Sequence, residues 1–139
     1  MAKKKTLRKV VDDLAVALQK LVRLKEAVKN NGYCQCWYCG EWGHWKEMDG
    51  CHYVSRTHQA TKVDEENIHP GCKGCNLRAG KGDSLLAYDY KRNMIEFYGE
   101  DFVLEIEQRA RKPADHFRCD IEDRIKEVRA QCRELEKEL

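Results

Sequence analysis

The sequence predicts an α+β protein that is mainly α-helical, with a small metal-stapled centre flanked by long N- and C-terminal helices. Two observations predict this class. Apolar residues recur with heptad spacing over residues 6–30 and 115–138, as they do in helices that pack along a seam. The centre of the chain is instead rich in Cys, Gly, His and Trp and contains two CxxC motifs, which are typical of metal binding.

The first element is a predicted helix over residues 6–30, and Asn30-Asn31-Gly32 ends it. Its a/d seam extends over three heptads, and either packs within the chain or pairs with a second copy. The residues that recur every seven positions are Leu7, Leu14, Leu21 and Val28.

The centre of the chain, residues 33–82, shows no helical period. It is divided by the positions of its CxxC motifs and its polar residues. The predicted elements are a CxxC turn running into a short hairpin over 33–45, a strand over 48–56, a polar loop over 57–66, and the second CxxC turn with the start of a helix over 67–82.

Two further helices follow the centre. Ser84 is the predicted N-cap of a helix over 85–98, which ends at Gly99. A shorter helix over about 101–111 stops before Pro113 because proline cannot continue a helix.

The last predicted helix spans 115–138 and carries the second heptad-like seam. Cys119 and Cys132 lie on it and are interpreted as small apolar fillers. The chain therefore divides into a basic, heptad-patterned helix over 1–32, a metal-stapled core over 33–99, and C-terminal helices over 100–139 that offer a possible dimerisation surface.

Charge is distributed unevenly along the chain, although the formal net charge is only +2. Residues 100–139 carry 9 basic and 12 acidic side chains, whereas residues 1–99 carry a net charge of +5. This distribution fits a nucleic-acid binder, and the lysine-rich start fits equally a solvated helix end. The densest basic cluster begins with Lys3, Lys4 and Lys5.

Composition argues against membrane and secreted classes. The mean hydropathy is −0.79, and no stretch approaches the roughly 18 apolar residues of a membrane span. No apolar segment follows the N-terminal lysines as it would in a signal peptide. We therefore expect a cytoplasmic protein without a membrane partner, in which the eight cysteines stay reduced.

The two CxxC motifs predict one structural Zn²⁺ ion. Each motif lets two thiolates bind an ion from a tight turn whose backbone amides point at the sulfurs, and two such turns complete a tetrahedral site. Cys34 either competes as a ligand or is a free thiol beside the site. The predicted ligands are Cys36, Cys39, Cys72 and Cys75.

Between these motifs, His52, Asn67 and Asn76 occur in the order and spacing that resemble zinc-stapled HNH nucleases. The chain is more closely similar to the phage lambda NinG (Rap) family of recombination nucleases, over roughly residues 33–139. The motifs that carry this likeness are Cys36-x-x-Cys39-Gly40, Gly50-x-His52-Tyr53-x-Ser55, Glu65-x-Asn67-Ile68-His69 and Cys72-x-x-Cys75-Asn76.

The resemblance implies a fold and an activity. The fold is a small zinc-stapled ββα-metal (HNH) core between the terminal helices. The activity is a metal-dependent, structure-selective DNA endonuclease that cuts branched recombination intermediates, such as D-loops and four-way (Holliday) junctions. The protein would be phage-encoded and act in the cytoplasm of the bacterial host, with recombination proteins as possible partners.

The chemistry of phosphodiester hydrolysis suggests a role for each motif residue. His52 is the proposed general base, because a neutral imidazole can take the proton of the attacking water. Asn76 would hold Mg²⁺ or Mn²⁺ through its carbonyl oxygen, a hard ligand for a hard ion. Asn67 would tie down the loop before the second CxxC motif and so aim His52.

The chain departs from the HNH pattern at one position. Many HNH enzymes place Asp or His immediately before the base as a second metal ligand, and this chain has Cys51 there. Asp49 is therefore the candidate second ligand, and His69 is a weaker one. A Cys51 ligand would favour a softer ion than Mg²⁺.

The expected phosphate contacts flank this site or lie in the N-terminal run. Four aromatic residues either cover the zinc module or stack on unpaired bases: Trp37, Tyr38, Trp42 and Trp45. The predicted DNA contacts are Arg56, Lys62, Lys73, Arg78, Lys81, Lys3, Lys4 and Lys5.

Two other functions remain open from the sequence. One is a zinc-dependent DNA-binding recombination accessory without catalysis, and the other is a protein-interaction adaptor built on the heptad helices. Because a four-way junction has two scissile strands, the nuclease interpretation also predicts a homodimer.

Overall fold

The computed structural model describes residues 3–139, within which five α-helices and two antiparallel two-stranded sheets form. The fold is mainly α, as predicted, and the first two residues of the predicted N-terminal segment lie outside the described part. In chain order the elements are α1 (Leu7–Lys29), β1 (Tyr33–Gln35), β2 (Trp42–His44), β3 (Met48–His52), β4 (Ile68–Cys72), α2 (Lys73–Gly80), α3 (Ser84–Tyr98), α4 (Glu100–Ala110) and α5 (Arg118–Glu136).

Helix α1 begins and ends close to the predicted positions. The Thr6 hydroxyl accepts a hydrogen bond from the backbone amide of Lys9, which satisfies one free donor of the first turn. At the other end, Asn31 and Gly32 have φ values of 53° and 94°, the left-handed conformation that terminates helices.

The heptad seams of α1 and α5 pack against each other within the one chain. Leu14 and Leu21 of α1 are buried, and so are Ile125 and Val128 of α5, whereas Leu7 at the start of the seam is exposed. Within this one chain the two seams therefore pack on each other. A homodimer stays a prediction.

Strands β3 and β4 pair antiparallel and are followed directly by α2, giving a ββα unit. Strand β3 ends at His52, earlier than the predicted 48–56, and β4 was not predicted as a strand. The ladder stops because the side chain of Asn67 bonds both the backbone amide and the carbonyl of Val54, which withdraws them from strand pairing.

Helix α1 covers one face of the β3–β4 sheet at very close range. A Cβ atom on Gly50 would lie 2.6 Å from the Cα atom of Gln19, so this position requires glycine. The guanidinium of Arg23 donates to the carbonyl oxygens of Trp45 and Met48 and fastens α1 to the start of β3.

The C-terminal helices differ from the prediction in three details. Asp83, rather than Ser84, is the N-cap of α3, because its carboxylate accepts from the amides of Leu85 and Leu86. Helix α5 begins at Arg118 rather than at 115. Cys119 is exposed and is not an apolar filler, in contrast to Cys132, which is buried.

Within residues 3–139, each helix is either too short or too polar to cross a bilayer.

Packing between α1 and α5 is expected to make the largest contribution to the free energy of unfolding. Leu14→Ala should lower the free energy of unfolding by about 3 kcal/mol, because it leaves a cavity at a fully buried position. Urea unfolding followed by circular dichroism measures this change. Val16→Ala is the matched control on the same helix, where the side chain is 59% exposed, and it should change stability by less than about 0.5 kcal/mol. Equal effects would contradict the assignment of the seam.

Candidate functional site

The two CxxC motifs meet in space. The sulfurs of Cys36, Cys39, Cys72 and Cys75 lie within 4.8 Å of one another. The first pair sits in the turn between β1 and β2, and the second pair spans the junction of β4 and α2. This arrangement of four thiols can hold a structural metal ion such as zinc, as the sequence predicts.

Backbone amides prepare the cluster for thiolates. The amides of Tyr38, Cys39 and Cys72 donate to the Cys36 sulfur at 3.3–3.4 Å. Burial alone would raise the pKa of Cys36, but these hydrogen bonds outweigh it and lower the pKa below its ordinary value. The guanidinium of Arg78 lies 3.6 Å from the Cys75 sulfur, so this predicted DNA contact faces the thiol cluster.

Two further cysteines lie outside the cluster. The Cys34 thiol is buried and donates to the carbonyl oxygen of Arg23, and burial raises its pKa to about 12. The Cys51 sulfur is also buried and lies beside Gly71, where an added Cβ atom would approach it to 2.6 Å. Burial raises the pKa of Cys51 well above its usual range. Neither thiol belongs to the group of four sulfurs.

His52 ends β3 and lines a large cleft. Its Nε2 atom lies 2.8 Å from the carbonyl oxygen of Lys62. A carbonyl accepts only, so Nε2 carries the proton and Nδ1 keeps a free lone pair. Burial lowers the pKa of His52 to about 4, which keeps the imidazole neutral near pH 7.

Asn67 holds the loop that supplies this carbonyl. It is fully buried, accepts from the amide of Val54, and donates to the carbonyl oxygens of Val54 and Thr61. Its three hydrogen bonds join the two ends of the loop 53–67. This is the loop-tying position that the sequence analysis assigned to Asn67.

Asp49 and Asn76, the two candidate ligands for a catalytic ion, are adjacent. The Asn76 amide lies 3.0 Å from the Asp49 carboxylate, and the Lys73 ammonium lies 2.8 Å from its other oxygen. Partial burial alone would raise the pKa of Asp49, but the hydrogen bonds from Lys73 and Asn76 outweigh it and lower the pKa. The carboxylate is therefore charged at neutral pH.

These side chains share a cleft of about 1520 Å³ with His52. Its lining includes seven basic and three acidic residues, so its charge complements a phosphate backbone. The acidic residues are Asp12, Asp49 and Glu107. The basic residues are Arg8, Arg23, Lys46, Arg56, Lys62, Lys73 and Lys91.

Only some of the predicted phosphate contacts line the cleft of His52. Arg56 and Lys73 line the cleft. Lys62 also lines it, but the side chain is buried and its ammonium pairs with Asp12. Lys81 is exposed outside the lining, and the N-terminal run Lys3, Lys4 and Lys5 precedes α1 at the surface.

The C-terminal helices contact the same loop 53–67, which the sequence did not reveal. Arg109 of α4 pairs with Asp64, and Arg124 of α5 donates to the carbonyl oxygen of Val63. His116, between these helices, bonds to the carbonyl oxygen of Gln59. Arginines on solvated helices carry no sequence signal for such long-range contacts.

His69, the weaker ligand candidate, lies away from the cleft. The Tyr90 hydroxyl donates to the Cys51 carbonyl at 2.7 Å and so accepts from Nδ1 of His69, at 2.9 Å. Nε2 then accepts from the Tyr98 hydroxyl at 2.8 Å. Both ring nitrogens are occupied, and burial lowers the pKa of His69 to about 3. His69 therefore supports the core instead of binding metal.

The four aromatic residues near the first CxxC motif have different surroundings. Tyr38 and Trp45 are buried. Trp37 stacks on His69 with ring centres 3.8 Å apart. Trp42 is 54% exposed. Three of the four therefore pack the metal module, and none of the three Trp residues lines the cleft of His52.

Comparison with protein families gives a match over nearly the whole chain. Residues 1–138 match the family described as Bacteriophage Lambda NinG protein. No curated protein and no solved structure matches the chain.

Removing one cluster thiol should release the structural metal. The purified protein is expected to hold about one zinc ion per chain, and Cys39→Ser should reduce this content and lower the melting temperature, because zinc binding supplies folding free energy. Elemental analysis and thermal melts measure both effects.

Cys119→Ser provides the matched control, since Cys119 is exposed and lies outside the cluster. It should keep the parent's zinc content. Loss of zinc from Cys34→Ser instead would place Cys34 in the ligand set and contradict the assignment.

Proposed function

Because the chain belongs to the bacteriophage lambda NinG protein family, which relates it to phage recombination, we propose that it is a metal-dependent endonuclease of branched recombination DNA. D-loops and four-way junctions are the proposed substrates. One observation carries the proposal: a neutral histidine, His52, shares a basic cleft with the adjacent oxygen donors Asp49 and Asn76.

The donor pair fits a hard divalent ion. Asp49 contributes an anionic carboxylate. The Asn76 amide nitrogen donates to that carboxylate, so a half-turn of the terminal amide group would turn its oxygen towards the same space. Carboxylate and carbonyl oxygens are the ligands that Mg²⁺ and Mn²⁺ prefer. When bound there, such an ion supplies a Lewis acid for the scissile phosphate.

His52 is the proposed general base. Water attacking the phosphorus gives its proton to the free lone pair on Nδ1, while Nε2–H stays bonded to the Lys62 carbonyl. The bond from phosphorus to the leaving sugar oxygen breaks at the same time, and solvent water protonates that oxygen. That hydrogen bond strengthens as the ring becomes positive. Asn67 keeps the Lys62 carbonyl in place through its hold on the loop, so it acts as a positioning residue.

The basic side chains of the cleft provide the electrostatic part of substrate binding. Arg56, Lys73 and Lys91 are exposed lining residues and are the proposed contacts for phosphates on either side of the scissile bond. Lys73 and Lys91 would leave their partners Asp49 and Glu107 to make these contacts. Such contacts give affinity without sequence information, which suits a nuclease that recognises DNA shape.

A second candidate function is a non-catalytic, zinc-dependent DNA-binding accessory. It is favoured by Cys51, which stands where many HNH enzymes have a ligand and whose side chain is buried beside Gly71. Without a ligand at Cys51, Asp49 and Asn76 are the two oxygen donors proposed for the ion in the cleft that His52 lines. Two protein ligands are sufficient for Mg²⁺, which keeps several waters.

The central test is His52→Ala in protein with normal zinc content. Cleavage of a four-way junction in Mg²⁺ should fall at least about 100-fold, the typical contribution of a general base. His44→Ala is the matched control, because His44 lies on β2 outside the cleft lining, and it should cut at the parent's rate. Undiminished cleavage by His52→Ala would exclude His52 as the base.

Binding and cleavage assays of the unmodified protein distinguish the two candidate functions. Tight junction binding without cleavage in Mg²⁺, Mn²⁺ or Ni²⁺ would support the accessory function.

The pH profile should reflect the low pKa of His52, about 4. Because this lies below the unfolded value of about 6.5, the unfolded chain binds more protons between these pH values. The contribution of His52 to stability is therefore complete above pH 6.5 and is lost as pH falls towards 4. Activity depends on the pKa of His52 in the folded protein, and the imidazole is already neutral throughout this range. The cleavage rate should therefore stay nearly constant from about pH 7.5 to about pH 6. A break near pH 6.5 that depends on His52 would contradict the buried geometry.

A further inference from the structure

The outer face of α3 leaves two large apolar side chains uncovered beside the basic cleft. Tyr88 is 69% exposed and lines the cleft, and Leu85 is 76% exposed. They are three positions apart along the helix, so they are neighbours on its surface. The inner face of the same helix buries Leu86, Tyr90 and Met94, so the core is completed without the exposed pair.

The surroundings of Tyr88 favour a polyanion. Lys91, which pairs with Glu107, follows it one turn later on the cleft side of α3. Lys73, which pairs with Asp49, and Arg56 line the same cleft, whose basic residues outnumber its acidic ones. Most of the Tyr88 side chain is open to solvent at the edge of this cleft. An exposed aromatic ring among cations is typical of surfaces that bind unpaired bases.

Phe97, another exposed aromatic residue at 70% exposure, has the opposite electrostatic surroundings. Phe97 and Trp37 line a second groove of about 970 Å³, formed with α1 and β4. Four glutamates and two lysines, Lys25 and Lys29, line it, so its charge is negative overall and would repel a phosphate backbone. The glutamates are Glu26, Glu65, Glu66 and Glu96. The charged residues around the two rings therefore favour Tyr88 over Phe97 as a contact for DNA.

We propose that Tyr88, flanked by Leu85, forms a wedge that inserts at the branch point of junction DNA and stacks on an unpaired base. This inference rests on the proposed function and specifies how the same cleft selects branched DNA. Bases within a duplex are stacked and paired, whereas those at a branch unstack at lower cost. Apolar side chains inserted between base steps hold such open geometries in other DNA-binding proteins.

The test uses His52→Ala protein, which keeps the substrate intact, and a four-way junction with 2-aminopurine at the branch point. Stacking on a base or on an aromatic ring quenches this base, so 2-aminopurine is placed at each branch position in turn. At the position that stacks on Tyr88 the probe should stay quenched, whereas at the neighbouring position, which the wedge separates from its stacking partner, the fluorescence should rise on binding. Adding Tyr88→Ala and Leu85→Ala should abolish the rise and reduce the preference for junction over linear duplex by about tenfold. Tyr88→Phe should retain both, because its ring still stacks.

Phe97→Ala, in the acidic groove, is the matched control and should behave like its parent. The double variant and Phe97→Ala remove only exposed side chains, and unchanged circular dichroism confirms that the fold is retained.

Persistence of the fluorescence rise and of the junction preference in the double variant would overturn the proposed wedge without contradicting the nuclease function. A rise that requires Tyr88, from a parent that cuts no DNA, would support the wedge and refute the nuclease. Absence of junction binding would overturn both.

Discussion

The convergence of four thiols from two distant turns is the constraint on which the rest of the site depends. It holds the β1–β2 turn against the start of α2, and the sulfurs lie within 4.8 Å of one another. Asn76 directly follows the last of these cysteines, so its position is fixed by the cluster. Asp49 meets it from β3, and the same strand ends at His52. A metal ion in the cluster would stabilise this small unit, which has little apolar core of its own.

The terminal helices form a frame around the loop that orients His52. Helix α1 approaches the sheet closely at Gly50 and supplies Asp12 to the buried Lys62. From the other end of the chain, Arg109 and Arg124 hold the same loop. The heptad seams, which the sequence allowed to form a dimer or an adaptor surface, join these two sides of the frame within one molecule. The geometry of the proposed base thus depends on contacts between distant parts of the chain.

Much of this architecture was predictable because its signals are local. Helix α1 has a cap and a seam, and the paired CxxC motifs identify their own ligands. Strand β4 was missed because Pro70 and Gly71 disfavour a central strand, although both strands of a two-stranded sheet are edges where proline is tolerated. The burial of Cys51 and His69, and the arginine contacts to the loop, depend on tertiary packing that one sequence does not encode locally. Tyr88 was overlooked for the same reason, since its exposure beside the cleft appears only in the fold.

The proposed site requires Asp49 and Asn76 to hold a divalent ion in the cleft that His52 lines. Paramagnetic broadening by Mn²⁺ in amide NMR spectra of the zinc-loaded protein would locate this ion. At substoichiometric Mn²⁺, the amide signals of Gly50, His52 and Asn76 should broaden first, and Asp49→Ala should abolish this selectivity. Broadening that is centred elsewhere, or that persists unchanged in Asp49→Ala, would show that these two residues do not hold the ion.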